Sequence, residues 1–250
     1  MKPSKTEDSD SLSPEGLREL LGDSEGFTEI EEDGPLAFAE HGASVTEKNE
    51  LGKRILEVGM SLLNRPLLED AGPNADKRGV IRSLFLEGLR WDNSLWDRWK
   101  VAHPSSKFDR PPWCAAFASY CVRKGYQATQ MASKLPPLLS ASTEDLRKRF
   151  RNKERFIERD DLFDSVGRIK PGAPLPAPGD IVLWQGHTGL LYDLYEDGMY
   201  QTLEGNVERD DGKQGVSLRP NSPKRKIKVN KTGELIWSLT GFCRLASEDG

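Results

Sequence analysis

GDIVLWQGHTGLLYDLYEDGMYQTLEGN, residues 179–206, determines the fold class predicted for this 250-residue chain. Short apolar runs over 180–184, 187–195 and 200–203 are separated by turn residues, a pattern that predicts antiparallel β-strands. Further strands are predicted at 216–218 and 235–245. The C-terminal part of the chain is therefore predicted to form an antiparallel sheet.

Asp197–Gly198 is predicted to form a two-residue hairpin turn between the second and third runs. That turn sets the register of the two strands. It places Glu204 opposite Leu191, and Asn206 opposite Gly189.

His187 begins the second run and lies on the same face as Glu204 and Asn206 in this register. Asn206 is then a diagonal neighbour of His187, roughly 7–8 Å away between backbones, with Glu204 one step further unless a bulge shifts it. Two polar side chains therefore lie on the histidine's side of a largely apolar sheet. The alternative is that residues 204–206 form only a strand-ending turn.

Helices are predicted upstream of these strands. One helix has Thr46 as a plausible N-cap and presents a single apolar face, Leu51, Ile55, Val58 and Leu62. Another is predicted from Asn74 to Leu89, and a charged one over 144–159 after a Thr143 cap. Helices followed by an antiparallel sheet predict an α+β fold.

Tryptophans 91, 96 and 99 could form a stacking platform for a sugar or a base. Their spacing instead favours one helical face that packs on the core.

Charge divides the chain into two regions. Residues 1–50 carry four Lys and Arg against 14 Asp and Glu; because the whole chain has a net charge of −4, residues 51–250 carry +6. We predict an acidic, partly flexible segment over 1–45 and one compact domain over 46–250. The net positive charge of residues 51–250 is compatible with an anionic partner. The acidic segment could shield this basic surface or simply aid solubility.

Several classes of protein are disfavoured by what the sequence lacks. There is no run of about 20 apolar residues and no secretory signal, so synthesis in the cytoplasm without a signal peptide is expected. Three cysteines without a C-x-x-C pair argue against a disulfide scaffold or a cysteine-rich zinc site. Nucleotide-binding, serine-esterase and zincin motifs are also absent.

Cys114 is the candidate nucleophile. It lies at the start of a predicted helix that begins at Trp113 and ends at Gly125, and a helix N-terminus favours a thiolate. Cys121 and Cys243 are predicted to be inert core thiols.

A cysteine nucleophile needs a base, and the chain has three histidines. His41 lies in the acidic segment and His103 in a polar loop. His187 follows a glycine turn at the start of a strand, a rigid position from which an imidazole can face a helix end.

Four motifs together resemble the CHAP domains, bacterial cysteine amidases and peptidases of papain-like fold. They are PPWCAAF at 111–117, PAPGDIV at 176–182, GHTG at 186–189 and LEGN at 203–206. The resemblance covers roughly 200 residues, from about residue 50 to the last predicted strand. Residues 91–102 and 143–170 look longer than in the usual domain and could change the substrate groove.

The resemblance implies a role for each candidate residue. Cys114 would be the nucleophile, His187 the general base and then acid, and Glu204 the group that orients His187. Asn206 would assist the imidazole or position the substrate. Neither a metal nor a cofactor is expected.

The resemblance also implies peptidoglycan as the substrate, with the enzyme acting as an N-acetylmuramoyl-L-alanine amidase or a peptide-bond endopeptidase. Such an enzyme would reach the periplasm or cell wall by a non-Sec route, as a phage lysis enzyme or an antibacterial effector. A secretion-machine component or an immunity protein could then be a partner, whereas nucleic acid and membrane are not expected to be.

Two alternatives remain at this point. One is a cytosolic thiol protease or amidase that acts on a protein or a small amide. The other is a non-catalytic module that binds glycan or polyanion.

Overall fold

The computed structural model describes residues 27–28, 43–46, 49–63, 79–102, 113–129, 131–135, 138–208, 214–223, 226–229, 235–237 and 239–245. The α-helices in these ranges are α1 (Glu50–Met60), α2 (Gly79–Leu86), α3 (Asn93–Ala102), α4 (Cys114–Ala128), α5 (Thr143–Arg151) and α6 (Arg159–Leu162). The strands are β1 (Phe27–Thr28), β2 (Phe156–Glu158), β3 (Ile181–Trp184), β4 (His187–Leu194), β5 (Tyr200–Glu208), β6 (Gln214–Asn221), β7 (Lys226–Val229), β8 (Leu235–Trp237) and β9 (Leu239–Cys243).

The strands form two sheets. The larger has the order β2-β9-β3-β4-β5-β6, and the smaller has the order β1-β7-β8. All neighbouring strands are antiparallel. The predicted strand over 235–245 is divided between the two sheets. Helices and antiparallel sheet together confirm the α+β class.

The larger sheet buries apolar side chains on both faces. Leu190 packs in one core with Phe117 of α4, whereas its neighbour Leu191 packs in a second core with Trp184 and Tyr200. Because successive side chains of a strand point to opposite faces, these two cores lie on opposite sides of the sheet. Helices α1 and α4 cover the first side.

Helix α1 packs closely against α4. Its N-cap is Asn49, whose Oδ1 accepts a hydrogen bond from the Gly52 backbone N–H at 2.7 Å. The prediction of Thr46 as the N-cap is wrong, because Thr46 precedes Asn49 in the chain and is too far from the first turn of α1. Gly125 does not end α4 either; a Cβ atom there would lie 2.3 Å from Cγ1 of Ile55, so this glycine permits close packing of the two helices.

The predicted charged helix over 144–159 is shorter than expected. Ser142, not Thr143, caps α5, since its Oγ accepts from the Asp145 backbone N–H at 3.2 Å. The helix ends at Arg151, and Glu154 adopts a φ of +56°, which reverses the chain. Residues 156–158 then join the sheet as β2.

Aromatic side chains of α2, of α3 and of the segment between them pack together. The ring centroids of Trp91 and Trp96 each lie 5.1 Å from the ring centroid of Phe85. Packing of these two tryptophans on the core is therefore confirmed, whereas the side chain of Trp99 lies outside the described residues. Helix α2 ends three residues before the predicted Leu89, and Asn74 is also outside the described residues.

Asp180 joins the proline-rich connector to the end of β9. Its carboxylate accepts hydrogen bonds from the backbone N–H groups of Ala177 and Leu245, both at 2.8 Å. Burial raises the pKa of Asp180 to about 7, although these bonds and the charge of Arg244 oppose the shift. The aspartate of the PAPGDIV motif therefore has a structural role.

Among the described residues, no helix has both the length and the apolar character needed to cross a membrane.

Candidate active site

Cys114 is the first residue of α4. Trp113 occupies the N-cap position and makes no side-chain cap hydrogen bond, while its carbonyl accepts from the Phe117 N–H at 2.8 Å. Backbone N–H groups at the start of a helix can therefore face a ligand or a developing negative charge next to the thiol. Cys114 is 4% exposed.

His187 is the first residue of β4 and lies beside Cys114. The Cys114 thiol is close enough to the imidazole to raise the pKa of His187. His187 Nε2 lies 2.8 Å from Oε2 of Glu204, which leaves Nδ1 as the ring nitrogen for the thiol. The imidazole also packs on Trp184, with ring centroids 5.4 Å apart. The structure thus brings the predicted nucleophile, base and orienting carboxylate together.

The protonation states of His187 and Glu204 depend on each other. Burial alone would lower the pKa of His187, but hydrogen bonds and charges from Cys114 and Glu204 raise it to about 10. Burial alone would raise the pKa of Glu204, but His187 holds it below its ordinary value, with smaller effects of Arg219 and Thr202. An imidazolium beside a buried carboxylate is therefore favoured at neutral pH.

The hairpin loop contains three residues, so the predicted two-residue turn is wrong. Tyr195 N–H donates to the Met199 carbonyl at 2.9 Å, which leaves Glu196–Gly198 as the loop. Gly198 adopts a φ of +86°, as is common at the last position of a three-residue loop. This loop shifts the predicted register by one residue.

A β-bulge at Tyr192 shifts the register by a second residue. Leu191 pairs with Thr202, whereas Asp193 pairs with Gln201. Glu204 is consequently opposite Gly189, not opposite Leu191 as predicted, and it becomes the diagonal neighbour of His187.

The bulge determines which face of the sheet carries the carboxylate. With the three-residue loop alone, Glu204 would pair with Leu190, on the face covered by α4. The second shift returns Glu204 to the face of His187. The two local irregularities thus preserve the predicted face while changing the predicted partner.

Asn206 follows Gly205, whose backbone lies against Trp113 and Phe117 at the start of α4. Its φ is +64°, and the pairing of β5 with β6 shifts between Gly205 and Val207. In the described part of the chain, no hydrogen bond joins the Asn206 side chain to His187. A non-glycine residue in the left-handed region is uncommon and often marks a functional position.

Gly205 brings β5 against the first turn of α4. A Cβ atom at this position would lie 2.6 Å from Cγ of Phe117 and 2.7 Å from Cζ3 of Trp113. The glycine therefore allows the strand that carries Glu204 to approach the helix that carries Cys114.

Two buried polar residues that the sequence analysis missed contact Glu204. Thr202 Oγ1 donates to Oε1 of Glu204 at 2.6 Å, and Asn221 Nδ2 donates to the same oxygen at 3.1 Å. Thr202 could have been found, because residues two apart on a strand share a face. Asn221 could not, since its position depends on the pairing of β5 with β6.

The other two cysteines are not part of this group. Burial raises the pKa of the Cys121 and Cys243 thiols well above the ordinary value, which supports their assignment as inert core residues. His41 and His103 lie outside the described residues. Within the described ranges, no group of three or more His, Cys, Asp or Glu residues could hold a metal ion.

Comparisons with known proteins return no match, whether with family models, curated proteins or solved structures.

Proposed function

We propose that the chain is a cysteine hydrolase of CHAP-type, papain-like fold that cleaves an amide bond of peptidoglycan. The observation that carries the proposal is the position of His187, whose Nε2 lies 2.8 Å from the buried Glu204 carboxylate and whose pKa is raised by the Cys114 thiol at the start of α4. A thiol at a helix start, an imidazole and a buried carboxylate can serve as the nucleophile, the general base and the orienting group of nucleophilic acyl transfer.

Acylation would begin with attack of the Cys114 sulfur on the carbonyl carbon of the scissile amide. A C–S bond forms, and the carbonyl oxygen becomes an oxyanion that N–H groups at the start of α4 can stabilise. The His187 imidazolium then donates its proton to the amide nitrogen. The C–N bond breaks, the amine leaves, and a thioester remains on Cys114.

Deacylation would use the neutral imidazole as a general base. His187 takes a proton from a water molecule, whose oxygen attacks the thioester carbonyl. Breaking of the C–S bond releases the carboxylic acid and regenerates the thiolate–imidazolium pair. Glu204 stabilises the imidazolium throughout and does not itself need to accept the proton.

Asn206 is the fourth residue of the proposed site. Its left-handed backbone follows Gly205, which lies against Trp113 and Phe117. The backbone of Asn206 therefore lies next to a residue that packs on the beginning of α4. We assign it to positioning the substrate or the scissile carbonyl.

The substrate assignment rests on two observations about the sequence. The four motifs that surround the site resemble those of cell-wall hydrolases. The net charge of +6 over residues 51–250 is also compatible with an anionic wall polymer. Delivery to the wall as a secreted antibacterial effector or a phage lysis enzyme is part of the proposal.

The proposal is tested by incubating wild-type protein and Cys114→Ala with purified peptidoglycan of several chemotypes. Released fragments are identified by mass spectrometry. We expect fragments with the wild type alone, and a new amine and carboxyl terminus that identify the cleaved bond.

The other outcomes separate the competing functions. Cleavage of denatured proteins by the wild type without release of wall fragments would favour a protein-directed thiol protease. Equal binding of both variants to wall material, with no product from either, would favour a glycan- or polyanion-binding module.

A further inference from the structure

We propose that Thr202 and Asn221 are positioning residues of this hydrolytic site, which hold the Glu204 carboxylate so that its second oxygen engages His187 Nε2. The inference rests on the function proposed above and assigns two residues that its four-residue site does not include. Neither side chain is placed in contact with the reacting atoms, so both would act through Glu204.

The two oxygens of Glu204 have different partners. Oε1 accepts from the Thr202 hydroxyl at 2.6 Å and from the Asn221 amide at 3.1 Å, while Oε2 faces His187 at 2.8 Å. Asn221 Nδ2 also lies 2.5 Å from Thr202 Oγ1. Thr202 can therefore accept from Asn221 and donate to Glu204, and the carboxylate cannot rotate without breaking both bonds.

Because the three side chains are buried, these hydrogen bonds affect the ionisation of Glu204. Glu204 and Thr202 are fully buried, and Asn221 is 1% exposed. A buried carboxylate remains ionised only where charges and hydrogen-bond donors replace its lost water. Donors on two neighbouring strands favour the ionised Glu204 over its protonated form, which would have to turn a hydroxyl toward a donor.

The orientation of Glu204 also sets the tautomer of His187. A carboxylate facing Nε2 keeps a proton on that nitrogen, so Nδ1 is the one that exchanges a proton with Cys114. Loss of the Thr202 or Asn221 donor would weaken this preference without removing any group that reacts. Such a loss should change how the site titrates more than whether the protein folds.

The test uses alkylation of Cys114 by iodoacetamide as a function of pH, followed at the Cys114 peptide by mass spectrometry. This readout needs no substrate. Thr202→Val removes the hydroxyl and keeps the branched shape, and Asn221→Leu removes the amide donor from a different strand. Thr202→Ser restores the hydroxyl. Thr240→Val is the matched control, since that hydroxyl donates to the Leu183 carbonyl at 2.9 Å.

Thr202→Val is expected to move the acid limb of the alkylation profile upward by about one pH unit, and so to lower the rate about tenfold at pH values below the midpoint of that limb. Asn221→Leu should move the limb in the same direction by a smaller amount, because its bond to Glu204 is longer. Thr202→Ser should restore the wild-type profile, and Thr240→Val should not change it.

Two results overturn the inference, and they are distinguishable. If His187→Ala leaves the wild-type alkylation profile unchanged, the thiol is not activated by His187, and the proposed function fails together with this inference. If His187→Ala moves the acid limb toward the pKa of an unassisted thiol, about 8.5, while Thr202→Val and Asn221→Leu leave the limb at its wild-type pH, this inference alone fails. A lower melting temperature without a shifted profile counts as the second result.

Discussion

Helix α4 carries two cysteines in contrasting surroundings. Cys114, at the first residue, interacts with His187, and Nε2 of that imidazole faces a buried carboxylate. Cys121 lies seven residues later and is fully buried in the apolar core beneath the sheet. Burial raises the pKa of its thiol far above the ordinary value.

The difference shows that two almost equally buried thiols of one helix can have quite different polar surroundings. Both side chains are almost inaccessible to solvent, at 4% and 0% exposure. Cys114 differs from Cys121 in having an imidazole beside it and in lying at the N-terminal end of the helix. Cys121 lacks the helix end, and apolar surroundings favour its neutral form.

The largest expected effect comes from removing each thiol in turn. Cys114→Ala should lower hydrolysis by more than about 1000-fold, because no nucleophile remains. Cys121→Ala should cost about 1 kcal/mol of stability through a small cavity and change the rate per folded molecule less than about twofold. Fragment release and thermal unfolding are measured on both. Equal loss of activity in both variants would contradict the distinction between the two sites.

The next effect concerns the charge behind the imidazole. Glu204→Gln keeps the size of the side chain and removes its charge, so the pKa of His187 should fall from its raised value of about 10. We expect a rate roughly 100-fold lower at neutral pH and an alkaline limb displaced to lower pH. The control is Glu158→Gln, which removes a carboxylate paired with Arg147 and Arg151 away from the site.

The same pair makes stability depend on pH in a defined direction. The raised pKa of His187 stabilises the fold fully below the unfolded value of about 6.5, and this contribution is lost as pH rises through about 10. The lowered pKa of Glu204 stabilises the fold above the unfolded value of about 4.3, and this contribution is lost as pH falls. The excess stability of wild type over Glu204→Gln should therefore be greatest between about pH 4.3 and about pH 6.5, where both contributions are present. An excess that keeps growing above pH 10 in urea unfolding would contradict the assignment.

The sequence was sufficient to predict which elements carry Cys114, His187 and Glu204. It was not sufficient to predict the strand register that sets their geometry. Apolar periodicity and turn residues predicted the strands, and the position of Cys114 at a helix start followed from the residues around it. The face shared by His187 and Glu204 was also correct. These features depend on local patterns of two to four residues, which a sequence displays directly.

The pairing partner of Glu204 could not be predicted because it depends on two single-residue irregularities. A three-residue loop ending in Gly198 and a bulge at Tyr192 each shift the register by one. Apolar periodicity does not reveal this bulge because both faces of the sheet are apolar: Leu190 packs in one core, and Leu191 and Leu194 pack in the other. Asn221 was missed for the same reason, because its contact with Glu204 depends on a further strand pairing.

The smallest expected effect on activity comes from two glycine-to-alanine substitutions. Each adds a methyl group at one end of α4, so the two ends can be compared. Gly205→Ala would place a Cβ atom 2.6 Å from Phe117 at the Cys114 end, whereas Gly125→Ala would place one 2.3 Å from Ile55 beyond Cys121. Neither glycine has a positive φ, so each substitution destabilises the fold through steric crowding and not through backbone strain. Each should lower the free energy of unfolding by about 1–3 kcal/mol.

Only the first of these variants should change catalysis. Gly205 is the neighbour of Glu204, so moving β5 away from α4 also moves the carboxylate and imidazole away from the thiol. A displacement of this kind should lower the rate per folded molecule about tenfold in Gly205→Ala and leave Gly125→Ala within about twofold of wild type. Active-site titration with a thiol-directed reagent corrects both rates for unfolded protein. Equal rate losses after that correction would mean that α4 transmits strain along its whole length, and that its two thiols do not lie in independent environments.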